Sequence, residues 1–231
     1  MFFKILLSAV FAALAAGIIV SAVQQVTTTP LILIAETYED GSASATHSGT
    51  ELPASGPAGS VSDTSEPQTG SISRSVMTAV ANIVLAFGFS LALLSVQIML
   101  NRNISVRTGL FWGIAAFAAF HLAPALGLPP ELPGSAAGEL VSRQIWWAAT
   151  AILTALGIAL LVYRQTFWVI AAAALLFALP HLYGAPQPQQ YASTVPAEVA
   201  AHFAASSLVI MAVFWTMIGS LSGFFFARQI A

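Results

Sequence analysis

Three histidines carry the first chemical hint in this sequence: His121, His181 and His202 each fall near the end of a separate apolar stretch. Imidazole is the side chain best suited to hold a transition metal or to move a proton near neutral pH. Glu198 precedes His202 by four positions, so on a helix the two share a face. Glu36 and Glu39 follow the first apolar stretch, and Glu131 and Glu139 follow the third. With no cysteine in the chain, any ligation rests on imidazole nitrogen and carboxylate oxygen. That donor set suits borderline divalent ions such as cobalt, nickel or zinc. Two alternatives stay open: a pair of these histidines clamping a haem, or histidine and glutamate around a catalytic zinc, although no H-E-x-x-H spacing occurs. Glu198 could equally be a first-turn acid after Pro196, favoured by the helix dipole. His47, in a Gly/Ser-rich stretch, reads as solvated or as a transient metal contact.

Such residues need elements that bring them to one depth, and the composition says what those elements are. The chain has 231 residues, 58% hydrophobic and only 7% charged, where ordinary soluble domains carry about 25% charged residues. So few charges cannot cover a water-facing surface, and the natural solvent for most of the chain is the lipid bilayer. A formal net charge of −2 argues against a nucleic-acid partner, since nothing offsets phosphate repulsion. A spanning helix needs roughly 20 apolar residues. Six stretches qualify: Ile5–Val26, Val76–Leu100, Thr108–Leu128, Gln144–Tyr163, a marginal Thr166–Tyr183, and Ala197–Ala227. Residues 40–73, rich in Gly, Ser, Thr and Pro with scattered acids, read as a flexible acidic loop inside a single transmembrane domain, 1–231. Lys4 before an apolar run resembles a signal peptide, but the run is long, Gln24–Gln25 is a poor cleavage context, and Leu31–Ala35 resumes the apolar pattern. The expectation is an all-α, polytopic bundle of about six transmembrane helices.

Basic residues collect in cytoplasmic loops. An N-in, C-in arrangement puts Lys4, Arg102, Arg107, Arg164 and Arg228 inside, leaves Arg74 and Arg143 outside, and places all nine carboxylates outside. Trp146 and Trp147 would then sit in an outer aromatic belt, Trp112 and Trp168 in an inner one. On this topology His121, His181 and His202 reach a similar depth near the extracytoplasmic face. Ionisable groups inside a membrane bundle are costly and mark functional sites. Pro124 follows His121 by three and Pro180 directly precedes His181, and an intrahelical proline frees the carbonyl four residues earlier. Gln24, Gln25, Asn82 and Gln97 are expected to hydrogen-bond between helices, and Gly109, Gly113, Gly219 and Gly223 to allow close helix packing.

The segment His121-Leu-Ala-Pro-Ala-Leu-Gly-Leu-Pro-Pro-Glu131-Leu-Pro-Gly134 resembles the signature of the CbtA cobalt transporter subunit family. Gln25, Pro30-Leu31-Ile32, Ala35-Glu36-Thr37-Tyr38-Glu39, Pro180-His181-Leu-Tyr-Gly184-Ala-Pro186, His202-Phe203 and Phe214-Trp215 resemble it too. The likeness covers the chain except its acidic loop. It implies a multi-pass protein of the bacterial inner membrane, not an enzyme, that imports cobalt as a transported ion for cobalamin synthesis. It also implies a companion, CbtB, a small single-span subunit with a histidine-rich tail. Carried onto this sequence, the metal residues it implies are His121, Glu131, His181, His202, Glu36 and Glu39. No ATP-binding loop occurs, so energy coupling would come from elsewhere or from the membrane potential.

Overall fold

A computed structural model describes residues 1–47, 68–188 and 193–229, without the side chains of 39–47 and 68–71. Every regular element among them is helical: α1 (Phe2–Val26), α2 (Thr28–His47), α3 (Gln68–Met99), α4 (Val106–Phe117), a π-turn (Ala118–Leu122), α5 (Ala123–Ala125), α6 (Leu140–Tyr163), α7 (Phe167–Tyr183) and α8 (Ala197–Arg228). Five helical stretches are long and apolar enough to cross a bilayer, and α7 is a shorter apolar helix of 17 residues. Large apolar side chains on their outer faces, among them Phe11, Leu85, Ile152, Leu156 and Val209, are exposed. A water-soluble monomer does not expose apolar surface on this scale, whereas lipid covers it without cost.

The helix boundaries follow local chemistry. Pro30 has no N–H and crowds the carbonyl of Val26, so α1 stops at Val26 and α2 starts afresh at Thr28. Asn101, at φ 50°, ends α3 in the left-handed region that asparagine tolerates, while the Arg102 N–H caps the carbonyl of Gln97. Ser105 opens α4 with a capping box shared with Thr108. The Glu139 carboxylate accepts from the N–H groups of Val141 and Ser142, which starts α6 four residues before its expected Gln144. Gly184, at φ 90°, ends α7.

The core lies where α1, α3, α4 and α8 cross, filled by Ala13, Ala16, Val20, Ala86, Leu93, Ala116, Ile210, Phe214, Trp215 and Ile218. Glycines set the spacing between α4 and α8. A β-carbon on Gly109 would strike the Gly219 carbonyl, one on Gly113 the Trp215 carbonyl, and one on Gly223 the Ser105 carbonyl. Without side chains to separate them the backbones touch, which in lipid maximises dispersion contact. Between α1 and α3, Asn82 donates to Ser21 Oγ (2.9 Å) and Gln24 Oε1 (2.6 Å), and Ser75 donates to Gln25 (3.2 Å). These are the interhelical bonds expected of Gln24, Gln25 and Asn82. Gln97, by contrast, bonds the Leu93 carbonyl within its own helix. Helix α7 packs on α6, where Gly157 makes room for the ring of Phe177.

The two ends of the bundle differ in charge. At one end Lys4 Nζ donates to the Gln229 carbonyl (2.5 Å), Gln229 donates to Ser8 (2.9 Å), and the Arg102 guanidinium lies over Tyr163. Arg107, Arg164 and Arg228 belong to helix termini at that same end. The other end carries Glu36, Glu131, Glu139 and Glu198 with only Arg74 and Arg143 among them, tied together by the cluster of Ala35, Leu132 and Val195. Helical backbone is described up to His47 and again from Gln68, at the two flanks of the 40–73 segment; residues 48–67 lie outside those described. One expectation needs correction. Trp146 is buried rather than in an interfacial belt, because its Nε1–H bonds the Pro180 carbonyl (3.1 Å) and its ring fills the space left by Gly127.

Candidate functional site

Pro124 cannot donate a backbone hydrogen bond, and the chain widens just before it. The Ala123 N–H reaches the Ala118 carbonyl, five residues back, which makes Ala118–Leu122 a π-turn. His121 sits in that turn, and Phe120 and His121 line a cleft of about 670 Å³ between α6 and α8. Gln144, Trp147 and Ala148 form its α6 wall, and Ser207, Leu208 and Met211 its α8 wall. Pro129, Pro130, Glu131 and Arg143 line it toward the acidic end of the bundle.

The His121 ring is held on two sides. Trp215, 1% exposed, donates its Nε1–H to His121 Nδ1 at 3.0 Å. Phe117 stacks on the imidazole at 6.4 Å between ring centres, while Phe120 stacks between Trp147 and Trp215. An accepting Nδ1 requires the neutral ring to carry its proton on Nε2. A metal needs a nitrogen lone pair. At Nδ1 it would displace the indole; at Nε2 it would send the proton to Nδ1, face to face with the indole N–H. Either way, loading this imidazole breaks the Trp215 bond.

Glu131 is bound at 2.6 Å to Arg143, and both side chains are mostly covered, 28% and 23% exposed. Among the described residues the buried Arg143 Nε has no hydrogen-bond partner. The structure therefore brings two sequence-derived candidates, His121 and Glu131, to one cleft. The remaining candidates do not line it. His181 lies in the last turn of α7, edge-on to Trp146 at 5.8 Å. His202 and Glu198 are exposed on the first turns of α8. Glu36 pairs with Arg74 at 3.2 Å. The side chains of Glu39 and His47 lie outside the described residues. Hydrogen bonds from Ser142 and the Val141 N–H hold the exposed Glu139 carboxyl below the usual carboxylate range, consistent with a capping role. Among the described residues no three of His, Asp and Glu stand close enough together to hold one ion.

Arg143 and Trp215 are the site residues that sequence reasoning undervalued. Arg143 figured only as an outer charge and Trp215 only as part of a motif, and no periodicity marks a side chain that meets a histidine ninety-four positions away.

Comparison with curated proteins and with solved structures gives no match to the chain. A family model described as "Probable cobalt transporter subunit (CbtA)" matches residues 2–227. That match takes in the π-turn histidine, the Glu131–Arg143 pair and every helix described above, so the chain belongs to the CbtA family.

Proposed function

We propose that this subunit is the membrane permease for a divalent transition metal, cobalt by family and nickel or zinc by donor chemistry, captured on the extracytoplasmic face of the bacterial inner membrane. The observation that carries the reading is His121 lining a cleft whose walls run on to Glu131 and Arg143 at the acidic end of the bundle. Five basic residues mark the opposite end as cytoplasmic under the positive-inside rule, which makes both termini cytoplasmic. In this reading His202, Glu198, Glu36, Glu39 and His181 collect the cation around the outer mouth. Glu131 holds Arg143 beside the metal's path, and His121 passes the metal inward once the Trp215 bond opens. The word "subunit" implies an assembly, and a small single-span CbtB-like protein is the partner we assign to it.

The test is cobalt accumulation by cells expressing the protein or the double variant His121→Ala, His181→Ala. The variant is expected to lose most of the accumulation at equal protein level. Equal accumulation would remove the histidines from the transport path.

A further inference from the structure

Resting on the function proposed above, we infer that the cleft takes its metal as an anionic complex with a small organic carboxylate rather than as the bare aquo ion. A dication held in a largely apolar chamber needs several oxygen or nitrogen ligands from the protein. This cleft offers one imidazole, whose Nδ1 is occupied by Trp215, and one carboxylate, already held by a guanidinium. No third ligand of the His, Asp or Glu type stands near them among the described residues. A chelator brings those donors with it.

Charge and size point the same way. Glu131 and Arg143 cancel and His121 is neutral in its hydrogen-bonded form, so the lining of the cleft itself carries no net charge to hold a free dication. Arg143 lines the cleft, and its one bond to Glu131 uses a single donor of a guanidinium that carries five. A guanidinium is the natural fork for a carboxylate. The volume, about 670 Å³, is that of a small-molecule pocket, which typically spans about 300–1,000 Å³ with apolar walls and few polar groups. Phe120, Trp147, Leu208 and Met211 supply such walls. The occupant that fits is a metal held by a hydroxy- or polycarboxylate, its carboxylate on Arg143 and one open coordination position facing His121.

Citrate serves as the probe. Purified protein in lipid nanodiscs is equilibrated with cobalt chloride, with citrate, or with both, each radiolabelled in turn. We expect citrate to be retained only when cobalt is present. Arg143→Gln should weaken that retention about tenfold, an easily resolved step in affinity. Glu131→Gln, which frees Arg143, should strengthen it, and opposite responses from two neighbouring variants cannot both come from misfolding. If citrate instead strips cobalt from the protein, or both variants leave citrate retention unchanged, the inference fails while the transport reading stands. If no cobalt is retained in either form, or His121→Ala retains as much as the parent, the transport reading itself fails and takes the inference with it.

Discussion

At the scale of single residues, the pairing of Trp215 with His121 is the most consequential contact, because it makes metal loading and an indole hydrogen bond mutually exclusive. Replacing Trp215 by phenylalanine keeps the aromatic packing on Phe120 and removes only the donor. A net hydrogen bond is worth about 0.5–1.5 kcal/mol. Trp215→Phe is therefore expected to bind cobalt several-fold tighter, while unfolding slightly more easily in detergent. Equilibrium binding and thermal unfolding on the same preparations check the two halves separately, and weaker cobalt binding would mean that the indole helps hold the ion. The sequence made His121 and Glu131 legible as candidates, since ionisable groups beside apolar runs are costly and conspicuous. It left the partners of both unreadable. Which side chain meets Nδ1 depends on how α4 crosses α8, and the number of residues between His121 and Trp215 does not encode that crossing.

At the scale of elements, long apolar runs announced the helices, α8 within a residue of its observed Arg228 end, while α3 starts eight residues before its expected Val76 and α7 falls short of the length of the other five. What escaped was local. Helix α2 is less apolar and follows a proline, so it read as a resumed apolar pattern rather than as a helix. The π-turn has no compositional mark beyond Pro124. Glycine positions were readable as small, and the structure adds what they touch. Gly219→Val forces a side chain against the backbone of Gly109 and Gly113, where no rotamer change relieves the clash, and overpacking typically costs about 1–3 kcal/mol. Gly88→Ala on α3 is the control, since a β-carbon there meets nothing within 4 Å. The first variant should lower the unfolding temperature in detergent, and the second should leave it unchanged or raise it through better helix propensity. Equal behaviour of the two would show that the α4–α8 approach is not limiting.

At the scale of the whole molecule, the separation of charge between the two ends predicts how the bundle sits. The chain has no cysteine, so single replacements report cleanly. Asn103 and Ser193 are both exposed, in the α3–α4 connection and just before α8 respectively. On the proposed topology, Ser193→Cys should react with an impermeant maleimide added to the outer side of the membrane, and Asn103→Cys only after the membrane is opened. The reverse pattern would invert the topology and place the acidic end of the bundle in the cytosol.

Helix α8 packs against both α1 and α4, and it joins the α1–α3 pair to the helix that carries His121. It is also the last of these helices to leave the ribosome. While α1 to α7 are being inserted, the groove that α8 will fill faces lipid and His121 has no indole to bond. The site is thus completed only when α8 docks, and damage in that helix is felt at a histidine made long before.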